Sequence, residues 1–288
     1  MHWEEVRDKF RIWREDNSRH SEEVVDLWVN YLQSQKHKLG DEQWMVEEQV
    51  FIAGLDCGRL DVADQCFIAL SKQFPGSVRV LKLKGMRLET LERHEDALTI
   101  YDAIIREDET NSTARKRKVA VLKSQGRIQE AIKELIEYLS KFMSDGEAWQ
   151  ELADFYIKEG DYGKAAYCME ELILQNPHNH LYYTRYAEIK YTQGGAENLE
   201  LARNYFSMAI KLNPINIRAY YGLIVSCSSS ITSSKLTSSK KKEIQKLSDW
   251  AQKKLTQRYE EEKSKSIKMD KLQESLNSLC ITDKSCSS

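Results

Sequence analysis

The chain has 288 residues, 41% of them hydrophobic and 31% charged, with 43 Lys+Arg set against 45 Asp+Glu for a formal charge of −2. That balance excludes a protein that coats nucleic acid through bulk positive charge. The longest apolar run, Gly222 to Cys227, is far shorter than the roughly 18 residues that span a bilayer.

The N-terminal stretch, MHWEEVRDKF, is charged from its fourth residue and offers no apolar signal segment, so the expected location is the cytosol. Trp3 to Arg14 and Glu22 to Leu32 have helical spacing, with Val6, Phe10 and Trp13 on one face, and predict a cap over residues 1–43. Only three prolines and 12 glycines interrupt the chain, which predicts an all-α protein. Six cysteines, at 57, 66, 168, 227, 280 and 286, include no C-x-x-C pair and read as reduced structural thiols.

From residue 44 the chain repeats. Ala63, Ala97, Ala131 and Ala165 are spaced 34 residues apart and Ala202 follows after 37, each inside a similar amphipathic octet. Gly58, Gly126 and Gly160 precede their alanines by five residues, where a helical hairpin must turn, and Gly194-Gly195 accompanies the longer fifth spacing. Pro75, Pro177 and Pro214 each lie twelve residues after a repeat alanine, where a proline closes one pair and opens the next.

This pattern resembles the tetratricopeptide repeat, a 34-residue antiparallel helix pair. The best copy runs from Gly146 to Asn179, with Trp149, Ala153, Ala165 and Pro177 at the key positions. The resemblance implies a right-handed α-solenoid. Five repeats and the start of a sixth occupy residues 44–225. Ten Ser or Thr in fourteen residues predict a linker at 226–239, since such a composition buries little surface. Ile244, Leu247, Trp250, Ala251 and Leu255 predict a capping helix over 240–260, and residues 261–288 read as a polar tail in which Leu272, Leu276 and Leu279 form a short docking helix.

No enzyme is expected, and no cofactor. The sequence holds no P-loop, G-x-G-x-x-G, G-x-S-x-G or H-E-x-x-H. His178-Asn179-His180 reads as a turn between repeats rather than a metal pair, and Glu47-Glu48 and Glu170-Glu171 read as solvated surface. What a solenoid offers instead is an inner face lined by its first helices. The repeat register assigns to it Arg79, Lys82 and Met86, then Lys116 and Lys123, then Gln150, Asp154, Ile157 and Lys158, with Tyr191 as a further apolar position. Cations concentrate at its centre, reinforced by the run Arg115-Lys116-Arg117-Lys118, which predicts an acidic or extended partner segment. Co-chaperone repeats that clamp a C-terminal carboxylate pair a lysine with an asparagine one turn later. Here Met86 follows Lys82 and Ala120 follows Lys116, so a co-chaperone adaptor is the alternative reading rather than the preferred one.

Three stretches are more specific than the repeat: WEEVRDKFRIWREDNSR from Trp3, GMRLETLERHEDALTIYDAIIREDETNSTARKRKVA from Gly85, and NPHNHLYYTRYAEIKYTQGGAENLELARNYF from Asn176. They resemble the subunit 2 family of the endoplasmic reticulum (ER) membrane protein complex, across about residues 3–225. The resemblance implies a scaffold subunit, peripheral on the cytoplasmic face of the ER, in an insertase that places tail-anchored and multipass clients in the bilayer. It implies as partners the cytosolic segments of membrane-spanning subunits and a soluble subunit of JAMM-like fold, with no nucleic acid and no direct membrane span.

Overall fold

The computed structural model describes residues 2–232 and 237–261. They form α1 (Trp3–Glu15), α2 (Ser21–Leu27), a π-turn (Trp28–Leu32), a 3₁₀ stretch (Gln33–Glu42), and α3 (Gln43–Asp56) with α4 (Leu60–Gln73). There follow α5 (Val78–Thr90) with α6 (His94–Glu107), α7 (Ser112–Ser124) with α8 (Ile128–Lys141), and α9 (Gly146–Lys158) with α10 (Tyr162–Gln175). The last are α11 (His180–Gln193) with α12 (Ala196–Leu212), and α13 (Ile217–Ile231) with α14 (Ser238–Glu261). The chain divides into two compact units, residues 1–138 and 139–288.

Each early pair turns by the same backbone device. Gly58, Gly126 and Gly160 have φ of 69°, 73° and 75°, the left-handed conformation in which a side chain is penalised. The glycine N–H and the next N–H then reach back to the end of the first helix, as in Gly160 to Ile157 O (3.1 Å) and Asp161 to Tyr156 O (2.9 Å). The second pair makes the same two bonds, Glu92 to Glu89 O (3.0 Å) and Arg93 to Leu88 O (2.9 Å), but forces the non-glycine Glu92 to φ 58°.

The repeat alanines Ala63, Ala97, Ala131, Ala165 and Ala202 are all fully buried, where the two helices of a pair approach too closely for a larger side chain. Where the facing residue is large, the first helix gives way instead. A Cβ built on Gly85 would lie 2.6 Å from the Tyr101 ring, and between successive pairs one on Gly222 of α13 would lie 2.3 Å from the ring of Phe206 on α12. A second 34-residue series marks the first helices: Ser77, Asn111, Asp145, Asn179 and Asn216 are their N-caps, spaced 34, 34, 34 and 37 residues apart. The last four accept a hydrogen bond from the first turn, as Asn111 does from Ala114 N at 3.1 Å.

In the first unit, Val6, Phe10, Val24, Val25, Trp28 and Leu32 join α3 and α4 in one apolar cluster. Trp13 is only partly buried and stacks on His20, with centroids 4.8 Å apart. Glu47 departs from the solvated reading. It is fully buried, accepting from Gln43 Nε2 (2.9 Å) and Lys36 Nζ (3.3 Å), because the 3₁₀ stretch folds over it. Glu170 is exposed, as expected, and accepts from the buried Tyr186 hydroxyl at 2.7 Å.

In the second unit the first part of the linker expected at 226–239 is helix instead, while residues 233–236 lie outside the described residues. The serine-rich stretch continues α13 to Ile231, with Ser226 and Ser230 buried. Their hydroxyls donate to carbonyls of their own helix, Ser226 to Leu223 O (2.9 Å) and Ser230 to Ser226 O (2.7 Å), so burial leaves no polar group unpaired. The capping helix spans Ser238–Glu261, and Ile244, Ser248, Ala251 and Leu255 form its buried face. The docking helix expected around Leu272–Leu279 lies outside the described residues, as do Cys280 and Cys286.

Two substitutions should move stability in opposite directions. Ala165→Leu overpacks a crossing and should destabilise by about 1–3 kcal/mol, whereas Glu92→Gly relieves a left-handed side chain and should stabilise by about 0.5–1 kcal/mol. Chemical denaturation of the two variants checks both signs. Burial also pushes the Cys66 and Cys168 thiols up to about 12. Iodoacetamide at pH 8 should therefore leave both unmodified in the folded protein while labelling the part-exposed Cys57.

Candidate functional site: a basic groove in the first unit

Two adjoining cavities of about 430 and 350 Å³ run along the first unit and share Arg19, Glu48, Ile52 and Arg79. The first lies against the α1–α2 corner, where Asn17 turns the chain at φ 50° and Trp13, Arg14 and His20 form the wall. The second continues along α5 and α7, over Leu83 and Met86, with Lys82, Thr113 and Arg117 at its edge. Apolar floor and cationic rim together suit a peptide that carries both apolar and acidic side chains.

Most of the rim charge is neutralised internally. Arg79 pairs with Glu48 at 2.6 Å, Arg117 with Glu89 at 3.1 Å, and Arg19 with Asp56 at 3.8 Å. The Arg14 guanidinium donates to Gln49 Oε1 at 2.8 Å, and burial holds its pKa below the ordinary arginine value, so its charge is incompletely solvated. Lys82, half-buried at the centre, has no hydrogen bond or ion pair among the described residues.

The run Arg115-Lys116-Arg117-Lys118 does not act together. Successive helical residues point about 100° apart, and the four cations meet four different environments. Arg115 is buried, donating to Glu109 O (3.0 Å) and pairing with Glu137 (3.0 Å). Lys116 lies over the Tyr138 ring, 5.8 Å from its centroid, and does not line the groove. Arg117 enters the groove beside Glu89. Lys118 bridges Asp102 (2.8 Å) and Glu134 (2.5 Å); burial lowers its pKa, but the two carboxylates outweigh that and raise it overall. Lys123 is exposed and also outside the cavity. Of this run, Arg117 lines the cavity described above.

The second unit treats its first helices differently. Asp154 pairs with Arg185 (3.0 Å), Arg185 also meets Glu188 (3.5 Å), and Glu188 accepts from Arg218 Nη2 (2.8 Å), a ladder of alternating charge across α9, α11 and α13. Tyr191 shares a hydrogen bond with Ser229 at 3.0 Å. Gln150 and Lys158 are exposed and Ile157 is half-buried. The sequence reading missed Arg19, Glu48, Ile52 and Arg117. The first belongs to the N-terminal cap, which has no repeat register; Glu48 and Ile52 stand 34 residues before Lys82 and Met86, on the same register in the first pair, to which the assignment was not extended; Arg117 was met only as part of the basic run.

A family model described as the EMC2 TPR-like repeat domain matches residues 74–198. The chain is 53% identical to ER membrane protein complex subunit 2-A of Xenopus laevis, over 90% of this chain and 87% of that protein. It is 33% identical to ER membrane protein complex subunit 2 of Dictyostelium discoideum, over 78% of this chain and 74% of that one. The chain belongs to the ER membrane protein complex subunit 2 family. Its fold is that of the C-terminal part of a TPR repeat-containing protein from Cytophaga hutchinsonii, matched at a TM-score of 0.60 and 15% identity over 87% of this chain and 93% of that one. The family is of scaffold type, and among the described residues no helix is long and apolar enough to cross a membrane.

The groove predicts a separation of stability from recognition. Arg115→Ala removes a buried, doubly bonded cation and should lower stability by about 1–3 kcal/mol, while Lys82→Gln should change it by less than about 0.5 kcal/mol. Urea titrations of the two variants side by side measure the contrast.

Proposed function

We propose that the protein is a scaffold subunit of the ER membrane protein complex, peripheral on the cytoplasmic face of the ER. Its first-unit groove holds a cytosolic segment of a membrane-spanning subunit, and a soluble subunit of JAMM-like fold docks elsewhere on its surface. The complex it serves inserts transmembrane segments, tail anchors among them, so this subunit contributes assembly rather than chemistry. The family supports the setting. The observation that carries the groove's role is Lys82, half-buried and unneutralised above an apolar floor between Arg79 and Arg117.

An acidic residue of the partner would complete that charge, and apolar side chains would cover Ile52, Leu83 and Met86. The carboxylate-clamp mode of co-chaperones lacks its asparagine here, since Met86 stands one turn after Lys82. Lys82→Glu should therefore reduce recovery of membrane-spanning subunits in mild detergent by about tenfold at low salt, with a smaller loss at high salt as the new repulsion is screened. Lys72→Glu, an exposed change on α4, is the control, and both variants should melt at the wild-type temperature. Undiminished recovery with Lys82→Glu at low salt would remove the groove's electrostatic role.

A further inference from the structure

The capping helix α14 carries a second surface, in the second unit and separate from the groove. Its buried face, through Ile244, Ser248, Ala251 and Leu255, is fully committed to the fold. The opposite face presents Lys242, Lys246, Trp250 and Lys253 along one stripe, about 16 Å long at 1.5 Å per residue, bordered by the exposed carboxylates Glu243 and Asp249, the latter accepting from Gln245 Nε2 at 2.9 Å. Elsewhere many cations find a carboxylate, but Lys242, Lys246 and Lys253 have no hydrogen bond or ion pair among the described residues. Beside this stripe a cavity of about 420 Å³ opens against α12 and α13, with Ile210, Pro214, Tyr220 and Trp250 as apolar walls and Lys211 and Lys254 at the rim. Trp250 is 43% exposed, its ring 6.0 Å from that of Tyr220, a large apolar side chain held at the mouth of a charged cavity.

We infer that the outer face of α14 and the adjoining Trp250 cavity form a docking site for an acidic linear segment of a partner protein, with one apolar side chain inserted beside Trp250. Charge complementarity selects an acidic occupant, because the three lysines, with Lys211 and Lys254 at the cavity rim, outnumber the bordering Glu243 and Asp249 and form no ion pair with them. The concave, partly apolar cavity selects a peptide over a bilayer. A membrane surface is met by an exposed apolar face, and the apolar face of α14 is already packed against the protein. Nucleic acid would use the lysines but would leave Ile210 and Pro214 uncovered. The site does not depend on the groove proposal, and each can fail alone.

The test uses the full chain and a 16-residue synthetic peptide bearing four glutamates at helical spacing and one central phenylalanine. Fluorescence anisotropy should show salt-sensitive binding, weakened at least about tenfold by Lys246→Glu with Lys253→Glu, charges whose reversal leaves the buried face untouched. Trp250→Ser should weaken binding similarly without changing its salt dependence, and a thermal melt of each variant separates lost binding from lost folding. Replacing the peptide's glutamates by glutamine, or its phenylalanine by serine, should have matching effects. The proposal is overturned by absent binding, by equal affinity for the glutamine peptide, or by an unchanged affinity in the lysine variant. It is equally overturned if phosphatidylserine vesicles or poly(U) RNA bind in a lysine-dependent manner and the acidic peptide does not.

Discussion

The close crossing of paired helices is the constraint on which the rest of the structure depends. Two helices can pack face to face at an alanine only if the chain reverses within about four residues, and the left-handed turn supplies that reversal with two backbone hydrogen bonds. Ala63, Ala97, Ala131 and Ala165 each follow such a turn by five residues, so turn and crossing move together along the sequence. Once they are fixed, the outward faces of the first helices recur every 34 residues. The N-caps at Ser77, Asn111, Asp145 and Asn179 then mark where each surface begins. Gly85 opposite Tyr101 shows that the constraint is total volume at the crossing and not the identity of either partner. When the second helix brings a large ring, the first must surrender its Cβ.

Charge is distributed under that geometry. Adjacent cations on a helix diverge by about 100°, so a run of four cannot form one patch. Arg115 and Lys118 are spent inside the first unit, which is why a segment that looks strongly basic in sequence contributes one residue to the groove. At the turns, Arg59, Arg93 and Arg127 reach the first-turn acids Asp61, Asp96 and Glu130. The Arg59 hydrogen bond draws the Asp61 carboxyl down to about 2. Arg59 and Arg93 stand at the N-cap, where a side-chain acceptor would be expected, as Asp161 is in the fourth pair.

Much of the fold was legible because the repeat alanines, turn glycines and prolines each answer to one dominant force. The alanines register sterics, the glycines backbone conformation, and the prolines helix termination. The second turn was half-legible: Glu92 occupies the glycine position with no sequence signal of its own, and only the spacing to Ala97 shows that a turn is there. The serine-rich helix was illegible for a different reason. Composition records polarity, but Ser226 and Ser230 satisfy their hydroxyls on carbonyls three and four residues back, and that local pairing lets polar residues be buried. The groove was legible at Arg79, Lys82 and Met86, which the register carries, and illegible at Arg19, where no register exists.

The two units have resolved the same first-helix geometry in opposite ways, and magnitudes decide what that means. The ladder from Asp154 through Arg185 and Glu188 to Arg218 involves side chains between a quarter and more than two-thirds exposed, so each link adds no more than about 1 kcal/mol. Its effect is electrostatic closure: an incoming acidic segment finds Arg185 and Arg218 already satisfied and must outcompete a carboxylate held at contact distance. Lys82 presents no such competitor, so an acidic ligand gains its charge without breaking a pair. In the proposed function, selectivity for acidic partners is set by where intramolecular carboxylates are missing, and counting basic residues along the first helices would place it wrongly.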